Sequence, residues 1–73
     1  MTTQAAASLR KMVEQIALNL GANRDPQQAA QKTADHLRRF WTPAMRAELC
    51  QQVRGAPEDF SAVARAVADA LDS

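Results

Sequence analysis

Scarcity sets the first limits on this chain. Its one cysteine, Cys50, allows no intramolecular disulfide and no cysteine-built metal framework, and it suits a reducing compartment. Its two glycines, Gly21 and Gly55, each at an expected helix end, cannot form a glycine-rich phosphate loop. The single histidine, His36, has no cysteine, second histidine or polar cluster at ligand spacing, which argues against a metal site. A catalytic nucleophile needs a base within hydrogen-bond reach and a third group to orient it. Cys50 reads instead as a small apolar side chain at the edge of a helix stripe, with His36 on another helix. The sequence therefore assigns no catalytic, cofactor-binding or metal-binding residue, and the chain is not expected to be an enzyme.

Long apolar runs are also missing. None approaches the ~18 residues a membrane-spanning helix requires. Residues 1–7 are polar and then alanine-rich, and read as a flexible N-terminal segment rather than an export signal. Residues 8–73 are left as a single domain, and the expected location is cytoplasmic. Large side chains are few as well: the hydrophobic fraction is 47%, but sixteen of those residues are alanine. A chain of this size buries only about 60% of its unfolded surface, so its core is marginal.

What is present is a helical code. Leu9, Met12, Val13, Ile16, Ala17 and Leu20 lie on one stripe, with Gly21 placed for a left-handed cap. Asp25-Pro26 opens a second helix, and Gln28 is placed to complete a capping box. Its buried face is expected to hold Ala30, Thr33, Ala34, Leu37, Phe40 and Trp41, with Arg39 pointing away. Thr42-Pro43 repeats the start signal for a third helix carrying Met45, Leu49 and Val53, which Gly55 stops. Phe60, Val63, Ala64, Val67 and Leu71 mark a fourth stripe, with Glu58 and Asp59 in its first turn. The expected fold is an all-α bundle of about four helices, roughly 8–20, 26–41, 43–54 and 57–71.

Net charge is only +1, but it is unevenly spread. Through Arg54 eight basic residues face four acids, whereas from Gly55 onward only Arg65 opposes Glu58, Asp59, Asp69 and Asp72. Solvated helix faces and an orienting field for a charged partner both fit this pattern. Asp35 with Arg38 or Arg39, and Arg65 with Asp69, have the spacing of helix-surface ion pairs. Arg38, Arg39 and Arg46 near a helix corner raise a helix-turn-helix reading. The third helix, however, mixes Glu48 with its basic and amide residues, and an isoelectric point near 8.0 is low for a phosphate-binding domain.

The stretch Asp35 to Arg46, "DHLRRFWTPAMR", holds the only histidine and the only tryptophan across a helix break. His36-Leu37, Phe40-Trp41, Pro43 and Met45-Arg46, with Gln15-Ile16 upstream, resemble the delta subunit of bacterial NAD-dependent, molybdenum-containing formate dehydrogenases. The resemblance covers about Leu9 to Leu71. It implies a non-catalytic accessory subunit of a soluble complex, binding no cofactor itself. In such a complex the alpha subunit carries molybdopterin guanine dinucleotide and iron-sulfur clusters. The beta and gamma subunits carry FMN, the NAD site and further clusters. The expected work is docking on the alpha subunit and supporting assembly, stability or cofactor insertion.

Two kinds of residue are expected at the corner. Leu37, Phe40, Trp41, Pro43 and Met45 set the angle between helices as core or corner residues. His36, Arg38, Arg39 and Arg46 project around it as the protein-interaction set. Two alternatives stand beside this reading: a freestanding helical module that self-associates, as a homodimer in isolation, and a small nucleic-acid-binding domain. Neither nucleic acid nor membrane is the expected partner.

Overall fold

The computed structural model describes residues 2–72, with side chains placed from Leu9 onward. Four α-helices follow one another: α1 (Thr2–Asn19), α2 (Pro26–Phe40), α3 (Pro43–Gly55) and α4 (Ala62–Asp72), with a 3-10 turn at Pro57–Asp59 before the last. The helices close into a body with a radius of gyration of 11.0 Å. No helix among the described residues is long and apolar enough to cross a membrane.

The helix boundaries follow their caps. α1 begins at Thr2, ahead of the expected start near 8, because Ala5 to Ala7 are the strongest helix formers and nothing interrupts them. The side chains of the expected 1–7 segment lie outside the described residues. At its other end α1 closes in a Schellman motif. Gly21 takes φ 100°, its N–H donates to the Leu18 carbonyl at 3.2 Å, and the Ala22 N–H donates to the Ala17 carbonyl at 3.0 Å. Asp25 caps α2 by accepting from the Gln28 N–H at 3.1 Å. The expected capping box is not completed, because the Asp25 N–H already donates to the Gly21 carbonyl at 2.9 Å. Thr42 caps α3 by accepting from the Met45 N–H at 3.1 Å, with Pro43 at the first helical position.

The expected fourth helix, 57–71, is two elements. After the 3-10 turn Phe60 adopts an extended backbone, φ −116° and ψ 146°, and its ring is buried. Ser61 then restarts the helix: its hydroxyl accepts from the Ala64 N–H at 3.1 Å and its carbonyl from the Arg65 N–H at 3.0 Å. The break has a packing cause. The extended residue sends Phe60 into the core and the hydroxyl of Ser61 supplies a new cap.

Leu37, Leu49, Val13 and Val67 are fully buried at the centre, surrounded by Ala30, Ala34, Ala64 and Ala68, with Trp41 and Phe60 closing the cluster. α2 and α4 make the most extensive helix pair, and alanines on both sides let the backbones approach closely. Ile16, Met45, Val63 and Leu71 pack around this core. Two expected stripe residues face solvent instead: Met12 is 41% exposed and Phe40 is 71% exposed. Met12 sits at the margin of its stripe. Phe40 has a different explanation, which the helix corner supplies.

Candidate docking surface at the α2–α3 corner

The α2–α3 corner separates its two adjacent aromatics. Trp41 leaves the helix as its C-cap with ψ 148°, donates its N–H to the Leu37 carbonyl at 2.9 Å, and turns its indole into the core. Phe40 is the last helical residue and stays outside. The sequence expectation placed it on the buried face, and its phase on the helix is indeed that of the core. It lies seven residues after Thr33 and eleven after Ala29, spacings that return a helix to nearly the same direction, and both of those residues are buried. Phe40 thus extends the buried stripe past the end of what the described side chains of the fold cover. Its ring rests against His36, one turn back, with ring centroids 4.7 Å apart and planes tilted 45°. That distance lies within the range of favourable aromatic pairs.

The rest of the corner set divides as follows. Leu37 is fully buried, Met45 is half-buried against the core, and Pro43 is exposed at the first turn of α3. Arg38 does not project freely. Its Nη1 donates to the Asp35 carboxylate at 2.9 Å and its Nη2 to the Ala70 carbonyl at 2.6 Å, so it ties α2 to the last turn of α4, where orphan carbonyls favour a cation. Arg46 is half-buried and leans back over the end of α2, its Nη1 3.5 Å from the Arg38 carbonyl. Arg39 is exposed and has no polar partner among the described residues. His36 is half-buried and occupied by its ring contact.

A shallow groove of about 420 Å³ runs behind the corner, with Arg38, Arg46, Cys50, Arg54 and Asp72 among its lining residues. It is not an open anion site, since Arg54 pairs with the Asp72 carboxylate and Arg38 is held by Asp35 and Ala70. Cys50 is buried at its edge, with Sγ 3.8 Å from the Ala68 carbonyl. Burial pushes the thiol pKa up and the Asp72 carboxylate adds to this; Arg54 opposes them in part, and Asp69 contributes a further rise. Such a thiol stays protonated and is a poor nucleophile. Among the described residues no three His, Cys, Asp or Glu side chains gather where a metal ion could be held.

The arrangement is suited to contact with another macromolecule: an exposed aromatic ring resting on His36 and, next to it in the chain, a guanidinium without a polar partner among the described residues. Residues 8–70 match the family described as NADH-dependant formate dehydrogenase delta subunit FdsD. The chain belongs to this delta-subunit family. No curated protein and no solved structure matches it. Membership makes the chain one component of a formate dehydrogenase assembled from several subunits, so surfaces its own fold leaves bare face the question of which subunit covers them.

Of the two side chains that build the start of α4, one had a faint sequence signal and the other none. Ser61 could have been read as a cap from the alanine-rich run that follows it. Its partner Glu14, on α1, carried no signal at all, because the two are 47 residues apart and meet only when the helices pack.

Proposed function

We propose that this delta subunit docks on the molybdenum-bearing alpha subunit of a cytoplasmic NAD-dependent formate dehydrogenase and supports its assembly, its stability or the insertion of its cofactor. The observation that carries this reading is the exposed Phe40 at the end of the α2 stripe, preceded in the chain by an Arg39 with no polar partner among the described residues, in a chain of the delta-subunit family. On this reading the chain holds no cofactor. Molybdopterin guanine dinucleotide, the iron-sulfur clusters, FMN and the NAD site belong to its partners. Its contribution is binding energy: a ligand that binds only the folded form of a partner stabilises it by mass action, about 2.7 kcal/mol at a hundredfold excess over Kd. The same linkage stabilises this small alanine-rich bundle in return.

The test is to express the alpha subunit with and without this chain and to measure co-purification, molybdenum content and formate oxidation. Co-purification with the alpha subunit, together with a drop in yield or molybdenum loading when the chain is omitted, supports the proposal. Full loading and stability of an alpha subunit that never retains the chain would sink it.

A further inference from the structure

We infer that Phe40 is the anchor of the subunit contact, and that its occupant is an apolar cleft on another subunit of the dehydrogenase, wide enough for one aromatic ring and with a carboxylate beside it for Arg39. The inference deepens the docking proposal above and rests on it. Exposure of a single phenylalanine is ordinary on a protein surface and argues nothing alone. Three further features single this one out.

The first is phase. Phe40 continues the Ala29–Thr33 face, so a chain element covering it from outside would prolong the core rather than attach to a polar helix flank. The second is order. The phenyl group already rests against the His36 ring, centroids 4.7 Å apart, before any partner arrives. Less side-chain freedom is then lost on binding, and this preorganisation is what distinguishes a binding anchor from a loose surface ring. The third is charge. Next to Phe40 in the chain, Arg39 is exposed and without a polar partner among the described residues, while the Asp35 carboxylate of the same helix is already taken by Arg38. The complement of an apolar ring with one uncompensated cation next to it in the chain is an apolar cleft with a carboxylate beside it. Phenylalanine and arginine are both enriched at protein interfaces, and arginine is among the residues on which binding energy concentrates.

This assignment alters the roles expected of the corner. Phe40 moves from packing to recognition, Arg38 from recognition to tying α2 to α4, and Arg39 remains a directional contact.

The experiment uses the full chain, tagged and co-expressed with the dehydrogenase subunits, in four forms: wild type, Phe40→Ser, Arg39→Glu and Leu18→Ser. Leu18, 48% exposed on α1, is the control for general loss of surface apolarity. Each variant is checked by circular dichroism and thermal melting, and the isolated wild-type chain and Phe40→Ser by sedimentation. The expected result is unchanged helix content and melting for Phe40→Ser, with affinity for the complex reduced about 10- to 100-fold. Arg39→Glu should weaken binding less, with a deficit that shrinks as salt is raised. Leu18→Ser should bind as wild type. Retention of Phe40→Ser at wild-type affinity would refute the anchor while leaving docking itself intact. Failure of the wild type to bind any subunit would overturn docking and anchor together. A wild-type dimer dissolved by Phe40→Ser would give the ring to a second copy of this chain and overturn the proposed occupant.

Discussion

The carboxylate of Glu14 on α1 completes the N-terminal cap of α4. One of its oxygens accepts the Ser61 N–H at 2.9 Å and the other accepts the Ser61 hydroxyl at 2.6 Å. In a capping box a glutamate three residues after the cap serves the cap's N–H, but here that position is Ala64 and the carboxylate arrives from another helix. The Ser61 hydroxyl is thereby donor to Glu14 and acceptor from Ala64, so one side chain couples a local helix start to a tertiary contact.

Ser61→Ala should cost about 1–2 kcal/mol, since it removes both roles at once. Glu14→Ala should cost about 1 kcal/mol, and the double mutant should fall short of the sum by about 0.5–1 kcal/mol, measured by urea denaturation. A sharper test is Ser61→Asp. The aspartate still caps Ala64 but sets a second carboxylate against Glu14, so the substitution should be tolerated in a Glu14→Gln background and be destabilising in the native one. Equal costs in both backgrounds would mean that the contact does not couple the helices.

The two glycines should respond to alanine with opposite signs. Gly21 holds φ 100°, where an L side chain is strained, although an added Cβ would meet no atom within 4 Å. Gly21→Ala should therefore destabilise by about 1 kcal/mol through backbone conformation alone. Gly55 is the last residue of α3, with no positive φ and open space around an added Cβ; the cap is Ala56, driven out of the helix by Pro57. Gly55→Ala should stabilise by about 0.5 kcal/mol. Parallel thermal melts of the two variants check both signs.

How much of this could be read from sequence depends on whether a feature is local or tertiary. Asp25-Pro26, Thr42-Pro43 and Gly21 each carry their helix-terminus chemistry within a few residues, and the helices start and stop where those signals stand. Ser61 was legible in principle and overlooked because the Phe60 stripe ran through it. The Arg38–Ala70 contact was not legible, since spacing alone offered Asp35 for either Arg38 or Arg39 and nothing announced the end of α4. Phe40 shows the limit of periodicity: its phase is that of a buried residue, but phase does not say how far along the helix the neighbours extend. Trp41, one residue later, is buried because it has already left the helix.

Thr33 places an unsatisfied hydroxyl in the core. The residue is fully buried, on the face of α2 that Leu37 and Ala30 share, and its Oγ1 has no hydrogen-bond partner among the described residues. Burial of an unpaired hydroxyl costs about 1–3 kcal/mol, and valine keeps the branched shape without it. Thr33→Val should raise stability by about 1 kcal/mol, which moves Tm of a domain this size by about 4–8 °C. Thr33→Ser keeps the hydroxyl, removes the methyl and should be destabilising. A loss of stability in Thr33→Val would show that the hydroxyl is bonded in solution.

The buried thiol of Cys50 should make stability fall at alkaline pH. Burial and then the Asp72 carboxylate raise its pKa, so the folded chain holds the proton at pH values where the unfolded chain has released it. The contribution is therefore complete below the unfolded value, about 8.5, and is lost as pH rises from there through the folded pKa. Wild-type Tm should decline more steeply over that window than Tm of Cys50→Ala, which has no proton to release. The same burial should slow modification by a disulfide reagent at pH 8 until the chain is unfolded in urea. Asp72→Asn provides the test of cause. Without the carboxylate the thiol pKa should drop toward its ordinary value and modification of the folded chain should accelerate, whereas an unchanged rate would leave burial alone as the origin of the shift.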